Sequence, residues 1–132
     1  MIKTNMLQLG DYVLSGKDKK VSIIASLNNE FVLLDYPDND GYYFESKEKY
    51  LEPIPITEDL LKEIGFKYED DRDEETLIYY IEDSFIEYNI NNGYFLLSDF
   101  GRYYDGKLNY LHELQQAVRL VTKKELTIKL WE

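Results

Sequence analysis

Four short runs of β-branched and aromatic residues open the chain, set apart by turn formers at intervals of about ten residues. The runs are Tyr12–Leu14, Val21–Ser26, Phe31–Tyr36 and Tyr42–Glu45. Between them lie Ser15-Gly16-Lys17-Asp18, Leu27-Asn28-Asn29 and Pro37-Asp38-Asn39-Asp40-Gly41. Connections this short leave no room for a crossover helix, so neighbouring strands must run antiparallel. The expectation is a small, strongly bent antiparallel sheet over residues 1–56, SH3-like in outline.

The pattern then changes. Pro53-Ile54-Pro55-Ile56 is held extended, because proline restricts both itself and its predecessor. Thr57 is a good N-cap, Glu58 and Asp59 suit the positive end of a helix dipole, and Gly65 suits the stop, which predicts a helix over 58–64. Thr76–Glu82 and Phe85–Ile90 read as strands around Asp83-Ser84. Asn92-Gly93 predicts a two-residue type I′ hairpin, pairing Ile90 with Phe95, Tyr88 with Leu97 and Ile86 with Asp99. One face then gathers Ile86, Tyr88, Ile90, Phe95 and Leu97, and a one-residue slip would scatter that set. Leu111, Leu114, Val118 and Val121 fall at helical spacing, predicting a helix over 111–121 whose polar face carries His112, Gln115, Gln116 and Arg119. Leu126–Leu130 alternates as a terminal strand, and Tyr68–Glu75 is the segment expected to be mobile. The fold class expected is α+β, mostly β. It is one domain over 1–132, with sub-parts 1–56 (β-barrel-like) and 66–132 (hairpin sheet plus helix) joined by helix 58–64.

Charge narrows the functional classes. The formal charge is −11, and residues 67–100 hold two bases against ten acids, a local −8, whereas 101–132 carry +2. Such a chain is repelled by nucleic acid and by anionic membranes, where affinity comes from Lys and Arg. With 44% apolar residues it is too hydrophobic for a disordered acidic tail. There is no Cys and a single His, which excludes thiolate chemistry and multi-histidine metal sites. No apolar run approaches the roughly 20 residues of a membrane span, and Met1–Gly10 lacks the features of a signal peptide, so the expected location is cytoplasmic.

No motif for chemistry emerges. The acidic patch Asp70, Asp71, Asp73, Glu74 and Glu75 lacks the glycine bend that converges oxygens on a hard cation, and reads as a solvated loop. Asp38-Asn39-Asp40-Gly41 fails as a calcium loop, because Tyr36 and Lys47 would occupy positions that need carboxylates. Ser98, Asp99 and His112 lack the elbow glycines of a nucleophile, and His112 reads as a surface helical residue. Paired carboxylates for glycoside hydrolysis are defined by distance, which an acid-rich sequence does not reveal. No catalytic residue, metal or cofactor is expected. Tyrosine is the abundant outlier, with adjacent pairs at 42–43, 79–80 and 103–104; in strands one of each pair faces the core and the other is free for recognition.

Three stretches also carry a family likeness: Leu7-Gln8-Leu9-Gly10-Asp11-Tyr12-Val13, the run from Pro53 to Phe66, and Tyr110-Leu111-His112-Glu113-Leu114-Gln115-Gln116 followed by Thr122–Leu126. In this order they resemble a family of small, functionally uncharacterised proteins of Bacteroidetes and their phages or prophages. Its pattern runs LRIGNYV, PIPLTEEWLLKFGF and YVHQLQNLYFALTGEELEI. The sequence departs from it at Gln116-Ala117-Val118-Arg119, where the pattern has Asn-Leu-Tyr-Phe, and at Lys123, where the pattern has glycine. The resemblance implies a mobile-element origin and no activity.

These readings converge on a non-catalytic interaction module whose partner is another protein, without direct nucleic-acid or membrane contact and with its oligomeric state open. The candidate binding residues are His112, Gln115, Gln116, Arg119, Tyr103 and Tyr104. The alternatives are an acidic nucleic-acid mimic that inhibits a host defence enzyme and a small hydrolase with paired carboxylates.

Overall fold

The structure, a computed structural model, describes residues 1–36, 41–70 and 72–128. Its contacts divide the chain into two units, Met1–Pro55 with Tyr110–His112, and Ile56–Asn109 with Glu113–Leu130. The fold class is α+β and mostly β, with two five-stranded antiparallel sheets and two α-helices among the described residues.

The first unit holds β1 (Tyr12–Ser15), β2 (Lys20–Leu27), β3 (Phe31–Asp35), β4 (Phe44–Lys47) and β5 (Leu51–Glu52), in the order β4-β3-β2-β1-β5. The strands meander, and the last returns to pair with the first through a 3-10 turn at Glu48–Tyr50, which curls the sheet. A bulge between Ile24 and Ser26 bends β2, supplying the curl that lets a small sheet wrap its own core. That core is Ile2, Leu7, Val13, Ile24, Val32, Leu34 and Leu51. On the same face the Ser15 and Ser22 hydroxyls bond at 2.8 Å, and Ser15 reaches the Tyr36 hydroxyl at 3.1 Å, so these buried polar groups are satisfied. The strand expected at 42–45 begins two residues later, at Phe44. Tyr42 and Tyr43 are therefore not in a strand, and both are exposed, contrary to the expectation that one of them is core. The turn expected at 37–41 lies mostly outside the described residues.

In the second unit α1 spans Glu58–Ile64, as its capping residues predict. Thr57 Oγ1 accepts from the Leu60 N–H at 3.1 Å, and Gly65, at φ 126°, donates its N–H to Leu61 and Lys62 carbonyls. Its sheet comprises β6 (Lys67–Tyr68), β7 (Thr76–Ile81), β8 (Ser84–Asn89), β9 (Tyr94–Asp99) and β10 (Arg102–Lys107), in the order β10-β9-β8-β7-β6. Two corrections concern its loops. The β7–β8 turn is Glu82-Asp83, one residue earlier than expected, with Glu82 at φ 52°. The β8–β9 hairpin pairs Tyr88 with Phe95 and Ile86 with Leu97, two residues off the type I′ register. The reason is Asn89: its side-chain oxygen accepts from Asn91 and Asn92 N–H, opening a four-residue loop that closes at Gly93 with φ 73°. A shift of two keeps side-chain parity, so Ile86, Tyr88, Phe95 and Leu97 still share the core face, whereas Ile90 leaves the strand.

Helix α2 runs Leu111–Thr122. Its last turn is closed by Lys123, which stands at φ 61° where the resembling pattern has glycine. The strand expected at 126–130 is not formed at 126–128, and residues 129–130 lie outside the described residues. The segment expected to be mobile is held at its start, because Tyr68 pairs with Leu77 and the Glu69 N–H bonds the Thr76 carbonyl at 3.1 Å.

Two substitutions read these backbone positions. Gly65→Ala places a Cβ 3.3 Å from the Tyr79 ring in a backbone conformation that disfavours L side chains, and should lower unfolding free energy by about 2 kcal/mol. Lys123→Gly relieves a left-handed lysine and should raise it by about 0.5–1 kcal/mol. Urea denaturation of both variants checks these signs.

Candidate functional site

Antiparallel pairing sorts the second sheet's side chains onto two faces. One is core: Leu77, Ile86, Phe95 and Leu97 are buried there, with Tyr79 and Tyr88 half-buried. The Ser84–Asp99–Arg102 cluster closes its end, the Ser84 hydroxyl donating to Asp99 at 2.6 Å and Arg102 pairing with the same carboxylate at 2.8 Å. The Ser84 hydrogen bond, with Arg102 beside it, holds the Asp99 carboxyl below the usual range.

The other face is open. Its first row, in register across β7 to β10, is Tyr80, Phe85, Ser98 and Tyr103. The second, across all five strands, is Lys67, Ile78, Glu87, Leu96 and Asp105. A third pairs Thr76 with Asn89 and Tyr94 with Lys107. Tyr80 is 70% exposed and Tyr103 71%, while Phe85 and Leu96 between them are half-buried. Two clefts mark the surface: about 370 Å³ where Gly65, Lys67 and Glu69 meet Ile78 and Tyr80, and about 130 Å³ among Thr76, Glu87, Asn89, Tyr94, Leu96 and Asp105.

Acids gather at the β6 end of this face. Glu69 is exposed, and local desolvation followed by repulsion from Glu87, Asp73 and Asp70 pushes its carboxyl above the usual value. Around α1 the balance is opposite, since the Tyr68 hydroxyl and Lys62 both engage Glu58 and hold its carboxyl low. Lys62 also sits 4.9 Å over the Tyr68 ring. The first unit has an aromatic cleft as well, about 400 Å³ lined by Gly16, Tyr36, Glu45, Ser46, Lys47 and Tyr50. Its rings already carry cations of the chain itself, Lys20 at 5.2 Å from Tyr36 and Lys49 at 5.1 Å from Tyr50.

The residues singled out in the sequence do not form one surface. His112 is 6% exposed and Gln115 1%, so neither is the surface residue expected; α2 buries most of its circumference, not the single apolar stripe its spacing suggests. Gln116 and Arg119 are half-buried, and Arg119 pairs with Glu125 at 2.7 Å. Tyr103 lies on the open face, but Tyr104 points to the opposite one, where its ring lies over Gly106. In the acidic patch Asp70, Glu74 and Glu75 are exposed and Asp73 half-buried, with Asp70 and Asp73 accepting backbone N–H bonds from Arg72 and Glu75; Asp71 lies outside the described residues. Among the described residues no three acidic or imidazole groups converge to hold a metal, and no helix is long and apolar enough to cross a membrane.

Sequence reasoning missed β10, and with it the open face. Half of the signal is present in Gly101, at φ 85° beside Phe100 at φ 35°, in a turn between two strands of equal length. Compared with protein-family models, curated proteins and solved structures, the chain matches none.

The Glu69 charge opposes folding. Its folded-state pKa is raised, so the penalty is absent below the unfolded carboxylate value of about 4.3 and fully present at neutral pH. Glu69→Gln should therefore raise the urea midpoint at pH 7, and the gain should vanish as pH falls below about 4. Paired unfolding curves at the two pH values check this.

Proposed function

We propose that this chain is a non-catalytic protein-interaction module, encoded by a phage or mobile element and acting in the cytoplasm, that presents the open face of its second sheet to another protein. The observation that carries this reading is the row Tyr80, Phe85, Ser98, Tyr103. A solvent-facing side of an antiparallel sheet ordinarily alternates to polar residues, whereas this one sets two largely exposed tyrosines in one row with half-buried Phe85, and half-buried Leu96 in the next row, where Ile78 is buried. Tyrosine brings large contact area at small entropic cost, which is why it is favoured at recognition surfaces.

The alternative of a nucleic-acid mimic has the repelling group Glu69, Asp70, Asp73 and Glu87 in its favour. A mimic also needs a continuous ridge of free charge, and two other acids of this region are engaged, Glu82 with Lys124 at 3.2 Å and Asp99 with Arg102 at 2.8 Å.

Immobilised protein exposed to lysates of Bacteroidetes cells, with and without phage infection, should retain a stoichiometric partner. The folded Tyr80→Thr/Tyr103→Thr variant, which keeps strand propensity, should retain at least tenfold less. Equal retention by both proteins, or no partner under any condition, contradicts the proposal.

A further inference from the structure

Resting on that reading of the face, we infer that its partner docks through a basic, extended segment carrying two arginines three positions apart. On the open face each of two strands places a carboxylate two residues beyond an aromatic ring: Phe85 then Glu87 on β8, Tyr103 then Asp105 on β10. Two residues along a strand is about 7 Å, so ring and carboxylate lie within the span of one arginine side chain. A guanidinium satisfies both at once, its donor fork on the carboxylate and its plane on the ring, whereas a lysine ammonium holds its water more tightly. Because β9 lies between them, the two ring–carboxylate couples are about 9.5 Å apart, the advance of three residues in an extended polyproline II segment, whose three-residue turn puts both arginines on the same side.

The face carries Lys67 in the same row and Lys107 two residues beyond Asp105, but Lys107 lies against Gly93 and, among the described residues, neither lysine is paired with these couples. Among the described residues no Lys or Arg forms an ion pair with Glu69, Glu87 or Asp105. Elsewhere the chain covers Tyr36, Tyr50 and Tyr68 with its own lysines, but among the described residues none lies over Tyr80, Tyr94 or Tyr103. The repulsion at Glu69 and Glu87 adds to the pull on an incoming cation. Carboxylates on an aromatic surface are what charge complementarity to an arginine-bearing partner requires.

The test uses a fluorescent twelve-residue peptide, Gly-Ser-Arg repeated, and its lysine counterpart, titrated with the whole protein at moderate salt. The arginine peptide should bind several-fold more tightly than the lysine one. Glu87→Gln/Asp105→Asn should weaken it about tenfold, while Asp18→Asn/Glu30→Gln, with the same charge change on exposed residues of the first unit, should leave it within twofold. No binding, equal binding of the two peptides, or equal loss in both variants overturns the inference. If Glu87→Gln/Asp105→Asn retains the captured partner that Tyr80→Thr/Tyr103→Thr loses, the face stands and the basic segment falls. If both retain it, the face itself is wrong.

Discussion

The alternation of side chains along β7 to β10 is the constraint on which the second unit and its surface both depend. Because successive residues point to opposite faces, the positions that bury Leu77, Ile86, Phe95 and Leu97 oblige Ile78, Phe85, Leu96, Tyr80 and Tyr103 to the other side. One face is then a core and the other an aromatic surface with Glu87 at its centre and Lys67 and Asp105 at its edges. A strand with apolar residues at both parities is ordinarily buried on both sides. Here the second side is open at Tyr80 and Tyr103, and the mismatch between composition and exposure is the physical basis for reading it as a contact surface.

The same alternation explains what was legible in the sequence. Helix 58–64 was readable to the residue because its ends are set locally, by a threonine oxygen on a backbone N–H and a glycine at positive φ. The core face of the β8–β9 hairpin was readable because parity survives a two-residue register error. The register itself was not, since the Asn89 side chain takes the Asn91 N–H that a two-residue turn would give to the Tyr94 carbonyl, and Asn92-Gly93 alone does not disclose it. Strand β10 was overlooked because its turn places a phenylalanine at φ 35°, where a glycine or asparagine is the usual signal.

The candidate residues on α2 failed for a different reason. Helical periodicity shows which residues can share a face, but not how many faces become buried, and His112 and Gln115 lie inside although their side chains are polar. Burial of that kind is set by packing between elements distant in sequence, to which a single helical wheel is blind. The acidic composition, by contrast, resolves into separate tasks. Glu58 and Asp99 are satisfied by hydroxyl and cationic partners, and Glu69 with Glu87 forms a repelling group on the open face. Charge held against folding where aromatic surface is exposed is consistent with selection for binding over stability.

Side-chain NMR of the protein titrated with its captured partner reads directly whether the open face of the second sheet is where that partner binds. Ring and methyl signals of Tyr80, Phe85, Leu96 and Tyr103 should shift together on binding, while those of Val13, Ile24 and Leu34 in the first unit's core stay in place. Shifts confined to the first unit, around Tyr36 and Tyr50, would contradict binding at that face.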